Sequence, residues 1–236
     1  DGAIKLYTWD DNEGKQAFWH SSAHILAQTI KFFYPKSKLT IGPSIENGFY
    51  YDVDFGNESI SEKDFQKIES KFLEFSRNDF KFSMRTISKD EALDFYKKEK
   101  NEYKIELIED LEDGTITFCD HSDFSDLCKG GHIPSTGIVK AVKLLNIAGA
   151  YWRGDEKNNQ LTRIYGVSFP KQKLLTEYLE LVEKAKERDH RKIGKELELF
   201  TFSSRVGHGL PLWLPNGTEL RDLSLIHISE PTRPSV

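Results

Sequence analysis

Two histidines one helical turn apart, His20-Ser-Ser-Ala-His24, have the clearest capacity for chemistry in this chain. On a helix, positions i and i+4 share a face, so the two imidazoles can flank a water or bind a metal. The zinc-protease arrangement needs Glu directly after the first His; Ser21 stands there, which disfavours that class. A second pair, Cys128-Lys-Gly-Gly-His132, sets a thiol and an imidazole across a glycine-bearing turn. Together the four residues make a His/His/Cys/His inventory of a kind that suits zinc. Spacing alone does not bring the pairs together, and two unrelated polar pairs stay open as the alternative. Asp126, two residues before Cys128, is placed to orient an imidazole or hold a substrate amine, or is a plain turn carboxylate. Lys104 stands at the front of an amphipathic helix, where a solvated charge is the ordinary expectation. Cys119 lies within an apolar strand pattern and reads as core.

The elements that must position these residues follow from periodicity. A run at residues 3–9 is strand-like and ends in turn residues at 10–14, so it reads as the last strand of a preceding domain. From Lys15 the spacing of Trp19, Ala23, Leu26, Ile30 and Phe33 predicts a helix that stops at Tyr34-Pro35. Residues 39–43 and 48–55 read as extended, the second alternating and aromatic. A charged helix is expected at about 62–77, with Phe65, Ile68, Phe72 and Phe75 on one face. A strand at 81–87 and helices at 89–98 and 102–111 follow. Residues 115–120 are strand-like, 121–137 loop-rich, and 139–150 and 161–167 strands. A single long charged helix is expected over 171–195, breaking if anywhere at Gly194. Its stretch 184–195 carries six basic residues against two acidic ones, a candidate patch for phosphates or a solvated linker. The Gly/Pro-rich apolar segment 207–215 suits the start of a further domain.

The 236 residues are 38% hydrophobic and 30% charged, which sets the chain apart from disordered sequences. Two cysteines cannot form a disulfide scaffold, so a reducing compartment is expected. No apolar run approaches the roughly 20 residues that span a bilayer. The formal net charge of −5 does not exclude a nucleic-acid partner, because local basic patches meet phosphates. The chain begins with Asp, and its one Met is Met84, so it is expected to start inside a longer protein. Residues 223–236 break the amphipathic texture before them, and the stretch 223–233 resembles translated library adapter.

The motifs HSSAH at 20–24, IGPSIENGFYYDVDF at 41–55, DLCKGGH at 126–132, AGAYWRGDEKNNQLTRIYG at 148–166 and RDHRKIGKELELF at 188–200 resemble bacterial threonyl-tRNA synthetases. The resemblance runs from about residue 6 to 222. One departure is Gly131, where many family members have Pro. The resemblance implies an α+β chain. Residues 1–12 would end a truncated TGS-like domain, and 13–170 would form the editing (second additional) domain. Residues 171–200 would be a connecting helix, 201–222 the truncated start of a class II catalytic domain, and 223–236 an artefact.

It also implies a task. Serine is threonine less one methyl, and a pocket gains only about 1–3 kcal/mol per methyl, so a second site must hydrolyse seryl-tRNA. By position, His20, His24, Lys104, Cys128 and His132 would be catalytic, Lys104 at the terminal ribose or the water. Tyr51 and Asp126 would bind substrate, Asp126 at the serine ammonium. His20 is the expected base or water-positioner, since imidazole titrates near neutrality; a ribose hydroxyl taking part is the alternative. The same pattern holds zinc in alanine-enzyme editing domains. In the threonine enzymes the cleft is expected to work without it, so no metal ligand is assigned. The parent would join threonine to tRNA using ATP. Its ATP, Mg and zinc belong to the catalytic domain, outside this chain. A cytoplasmic homodimer with tRNA as partner and no membrane contact is expected. The alternatives are a free-standing zinc-dependent alanyl-tRNA editing hydrolase and a catalytically inactive tRNA-binding module.

Overall fold

The computed structural model describes residues 5–207 and 209–229, the side chains of His227 and Ser229 excepted. It divides into two compact units, Asp1–Leu175 and Thr176–Val236. Helices and antiparallel sheets are mixed along the chain, an α+β arrangement.

The first unit opens on α1 (Asn12–Phe33), which is buried continuously from Ser21 to Ile30. A helix buried all round must satisfy its polar side chains internally. The hydroxyls of Ser21, Ser22 and Thr29 do so by donating to the carbonyls of Ala17, Phe18 and Ile25, one turn back. Strands β1 (Lys38–Leu39), β2 (Ser44–Ile45) and β3 (Gly48–Asp54) follow. Next come α2 (Phe65–Arg77) after a short 3-10 turn, β4 (Ser83–Thr86), α3 (Lys89–Lys98) and α4 (Glu102–Glu109). The strands β5 (Thr117–His121), β6 (Phe124–Leu127), β7 (Ala141–Tyr151) and β8 (Gln160–Phe169) complete two sheets.

The larger sheet runs β1-β3-β8-β7, with β2 also on β3, all pairs antiparallel. Phe49, Tyr51 and Val53 of β3 are buried with α1 and with Phe65, Ile68 and Phe72 of α2 in one core. Trp19 Nε1 donates to the Ser168 carbonyl of β8 at 3.0 Å, fixing α1 to the sheet. The smaller sheet, β4-β5-β6, carries its own core of Ala92, Tyr96, Ile108, Ile116 and Phe118 with α3 and α4. The second unit holds most of α5 (Gln172–Glu187), then α6 (His190–Glu196), an antiparallel pair β9 (Phe200–Phe202) and β10 (Pro211–Trp213), and α7 (Pro215–Ser229).

Three expectations are corrected. Residues 5–9 form no strand; residues 3 and 4 of that run lie outside the described residues. The segment is fixed instead as a turn, with Asp11 accepting from both the Thr8 amide and hydroxyl, and Trp9 packs edge-on against Phe18 and Trp19. The stretch 121–137 is not all loop: β6 pairs with β5 through it, Asp126 opposite Cys119. The single helix over 171–195 is two, broken before Asp189 rather than at Gly194. Asp189 accepts from the Arg191 amide as a helix cap. Gly194 lies inside α6, and a Cβ there would meet the Phe200 ring at 2.3 Å, so the position has no room for a side chain.

Candidate active site

All seven residues singled out from the sequence lie in the first unit, on both of its layers. His20 and His24 lie on the same side of α1, His20 part-buried and His24 fully buried. Cys128 and His132 come from the turn after β6, where Gly130 and Gly131 take φ of 100° and 85°. That region favours glycine, and a proline ring, held near −65°, cannot enter it. The loop at Gly131 therefore follows a backbone path closed to proline. The Ile133 amide donates to Ser21 Oγ at 3.0 Å, tying the end of the loop to α1.

The two pairs meet. His20 Nε2 lies 3.0 Å from Cys128 Sγ, which lies 3.4 Å from His132 Nε2. The His20 and His132 rings stack at 4.9 Å, and His24 meets both edge-on. One donor atom from each of the four falls within 4.8 Å of the others. Burial sets their protonation. It pushes His20 below the usual histidine range, against a backbone hydrogen bond to Gly42 that raises it. It drives His24 well below that range and His132 down to about 4. The Cys128 thiol is pushed up, again by burial first. The cluster is thus neutral imidazoles beside a protonated thiol: proton acceptors, with no thiolate nucleophile.

A charged pair stands next to it. Lys104 Nζ and Asp126 Oδ1 are 2.7 Å apart with both side chains about 4% exposed or less. Asp126 also accepts from the Tyr51 hydroxyl on Oδ2 at 2.7 Å and from the Tyr96 hydroxyl on Oδ1 at 3.0 Å. His24 Nδ1 is 3.7 Å from Oδ2, beyond a hydrogen bond. The start of α4 is fixed by Asn101, whose side chain accepts from the Lys104 amide and donates to the Leu39 carbonyl. That is how the helix-front lysine, expected at the surface, becomes buried.

His20, His24, Tyr51, Lys104, Asp126 and Cys128 border one cleft of about 1100 Å³. His132 does not border it; it stands behind, stacked on Phe82. Three neighbours were not picked out as site residues. Cys119 is buried as expected, and its Sγ lies 3.7 Å from His132 Nδ1. His121 is packed by Phe82 and Phe124, with neither ring nitrogen hydrogen-bonded. Tyr96 reaches Asp126 from α3. A histidine in a run taken as loop, and an aromatic within a charged helix, give no local signal of this.

Residues 116–165 match the family described as the threonyl and alanyl tRNA synthetase second additional domain. That places β5 to β8, and with them Asp126, Cys128 and His132, in a domain type shared by those two kinds of synthetase. Over 222 residues, 94% of the chain, it is 66% identical to the threonine–tRNA ligase of Flavobacterium psychrophilum and 67% to that of Flavobacterium johnsoniae. The threonine–tRNA ligase of Porphyromonas gingivalis is 58% identical over the same length. The chain spans about a third, 34%, of each of these relatives. The matched stretch belongs to the threonine–tRNA ligase family.

Proposed function

We propose that this part of the protein hydrolyses seryl-tRNA, as the editing domain of a threonine–tRNA ligase. The observation that carries the reading is the neutral His/Cys cluster beside the Lys104–Asp126 pair on one open cleft. The substrate is an ester on the terminal ribose. His20, neutral at pH 7 and bordering the cleft, accepts the proton of the attacking water. Lys104 offers an ammonium to the ribose or to the charge that develops on the ester oxygen. A carboxylate has about four acceptor sites; three donors already engage Asp126, which leaves room for the serine ammonium. Tyr51 lies so close to Gly42 that a Cβ there would meet its ring at 2.2 Å. This tight wall is the element suited to excluding one methyl. His132 and Cys128 hold His20 in place.

A deacylation assay with seryl-, threonyl- and alanyl-tRNA tests the reading. Serine-selective release by the folded protein, lost in His20→Ala, is the expected result; no serine-selective release refutes it. The compact donor set favours one rival, a zinc-dependent alanyl-tRNA hydrolase. His20, His24, Cys128 and His132 fit zinc by type and closeness, and both buried nitrogens of His24 are without a hydrogen-bond partner. When bound there, zinc would supply a Lewis acid for water. Alanine-selective release abolished by chelation would establish that rival.

For the whole protein the family points to ATP-dependent attachment of threonine to tRNA, with Mg and zinc in the catalytic part, as a cytoplasmic homodimer. Residues 171–200 would connect to that catalytic domain, which would begin within 201–222. Residues 223–236 are proposed to be translated adapter, which sequencing reads across the 222/223 junction test. No helix among the described residues is long and apolar enough to cross a membrane.

A further inference from the structure

Asp126 borders two cavities: the cleft, and a second of about 370 Å³ that is also bordered by Tyr96, Gln28 and Asp123. Of its three donors, Lys104 and Tyr51 border the cleft, whereas Tyr96 borders only the second cavity. We propose that Tyr96 is a positioning residue for the hydrolytic site, holding the Asp126 carboxylate from behind so that Lys104 stays fixed at the cleft wall. The inference rests on the editing reading for its kinetic consequence but not for its structural one.

The hydroxyl is placed by more contacts than it needs for packing alone. A capping box at Ser88 and Glu91 fixes the start of α3. Ala92 and Tyr96 are its buried residues, four apart on one face, and the Tyr96 ring packs against Phe95 and Phe118. The Asn101 amide donates to the Tyr96 carbonyl at 3.0 Å, closing the turn that leads into α4 and Lys104. The Leu127 amide donates to the Tyr96 hydroxyl at 2.8 Å. An oxygen that already accepts there directs its one proton elsewhere, and Asp126 Oδ1 receives it at 3.0 Å. Leu127 follows Asp126 in β6, so this hydroxyl locks both the backbone and the carboxylate of the same strand. Oδ1 is also the atom that pairs with Lys104. With the Tyr96 hydroxyl gone, Oδ1 keeps the Lys104 ammonium but loses its hydrogen bond from α3, so the carboxylate turns more freely and the ammonium moves with it. Tyr96 touches no residue of the four-residue cluster through its hydroxyl, so its effect passes through Asp126.

Tyr96→Phe keeps the ring and removes the hydroxyl. The expected result is an about tenfold fall in the single-turnover rate of seryl-tRNA hydrolysis with KM unchanged. It comes with displacement of the Asp126 carboxyl carbon and Lys104 ammonium nitrogen resonances at pH 7.5. Ile108→Val, a cavity in the same core away from Asp126, is to lower Tm while leaving rate and resonances alone. Should Tyr96→Phe fold poorly, 3,5-difluorotyrosine at position 96 is a stronger donor in the same ring and is to move the Asp126 resonance the opposite way. An unmoved Asp126 resonance overturns the proposal, as does a moved resonance with full hydrolytic rate. Wild-type protein that does not hydrolyse seryl-tRNA refutes the editing reading instead, and the resonances then decide Tyr96's role alone.

Discussion

Lowering the pH from 7.5 to 5 is expected to destabilise the first unit through His121, a histidine that borders no part of the cleft. It is 1% exposed, ringed by Phe82, Phe124 and, at 6.5 Å, His24. Burial pushes it down to about 4, against the pull of Asp126, Asp123 and Asp120, which raise it. In the unfolded chain a histidine titrates near 6.5. The unfolded state therefore takes up the proton first as the pH falls. The stability this group contributes is full above pH 6.5 and is lost progressively down to about pH 4. With those two values, the loss at pH 5 is about 2 kcal/mol from His121 alone. His132, also about 4 and partly exposed, adds a smaller share. Urea unfolding followed by tryptophan fluorescence at pH 7.5, 6 and 5 measures this, since Trp9, Trp19 and Trp152 all belong to the first unit. His121→Phe removes the titrating group and keeps a ring of similar size among aromatic neighbours. The variant is expected to lose about 2 kcal/mol less than wild type between pH 7.5 and 5. Parallel pH dependence of the two proteins would show that His121 stays uncharged in the unfolded state or is charged in the folded one, and would refute the reasoning.

Three further outcomes are expected. Lys104→Met leaves the Asp126 charge buried without its ion partner; a cost of about 3–5 kcal/mol in urea unfolding and loss of seryl-tRNA hydrolysis are expected. Gly42→Ala drives a Cβ into the Tyr51 ring, so Tm falls and serine-over-threonine selectivity is lost before total hydrolysis, read in paired deacylation rates. Arg163→Lys gives up the bidentate contact to Asp52, both bonds 2.7 Å, and stacking on Tyr50 at 3.9 Å; this is expected to cost about 1–2 kcal/mol with hydrolysis unchanged.

Much of the fold was readable because its signals are local. The spacing of Trp19, Ala23, Leu26 and Ile30 sets α1, and the alternation around Tyr51 sets β3. The errors fall where a partner decides the outcome. Residues 5–8 have strand-forming side chains but no neighbouring strand, and the backbone hydrogen bonds of a strand exist only with a neighbour. β6 hides in a glycine-punctuated stretch because only pairing with β5 makes it a strand. The break in the long charged helix falls at the Asp189 cap and not at Gly194, because a capping side chain starts a new helix whereas a single glycine only weakens one.

The site divides in the same way. Sequence by itself picked out the candidate residues: the His20/His24 turn spacing, the Cys128–His132 turn and the acid beside it are local patterns, and family resemblance added Lys104 and Tyr51. Only the tertiary structure decided that His20 and Cys128, 108 residues apart in the chain, stand 3.0 Å apart. It also decided that Lys104 is an ion partner and not a solvated charge, that His132 stands behind the cleft, and that Tyr96 and His121 join the network. The reason is physical. Chemical identity and helical phase are written along the chain, whereas burial, the largest influence on the imidazoles and the Cys128 thiol here, depends on which distant segments cover a group.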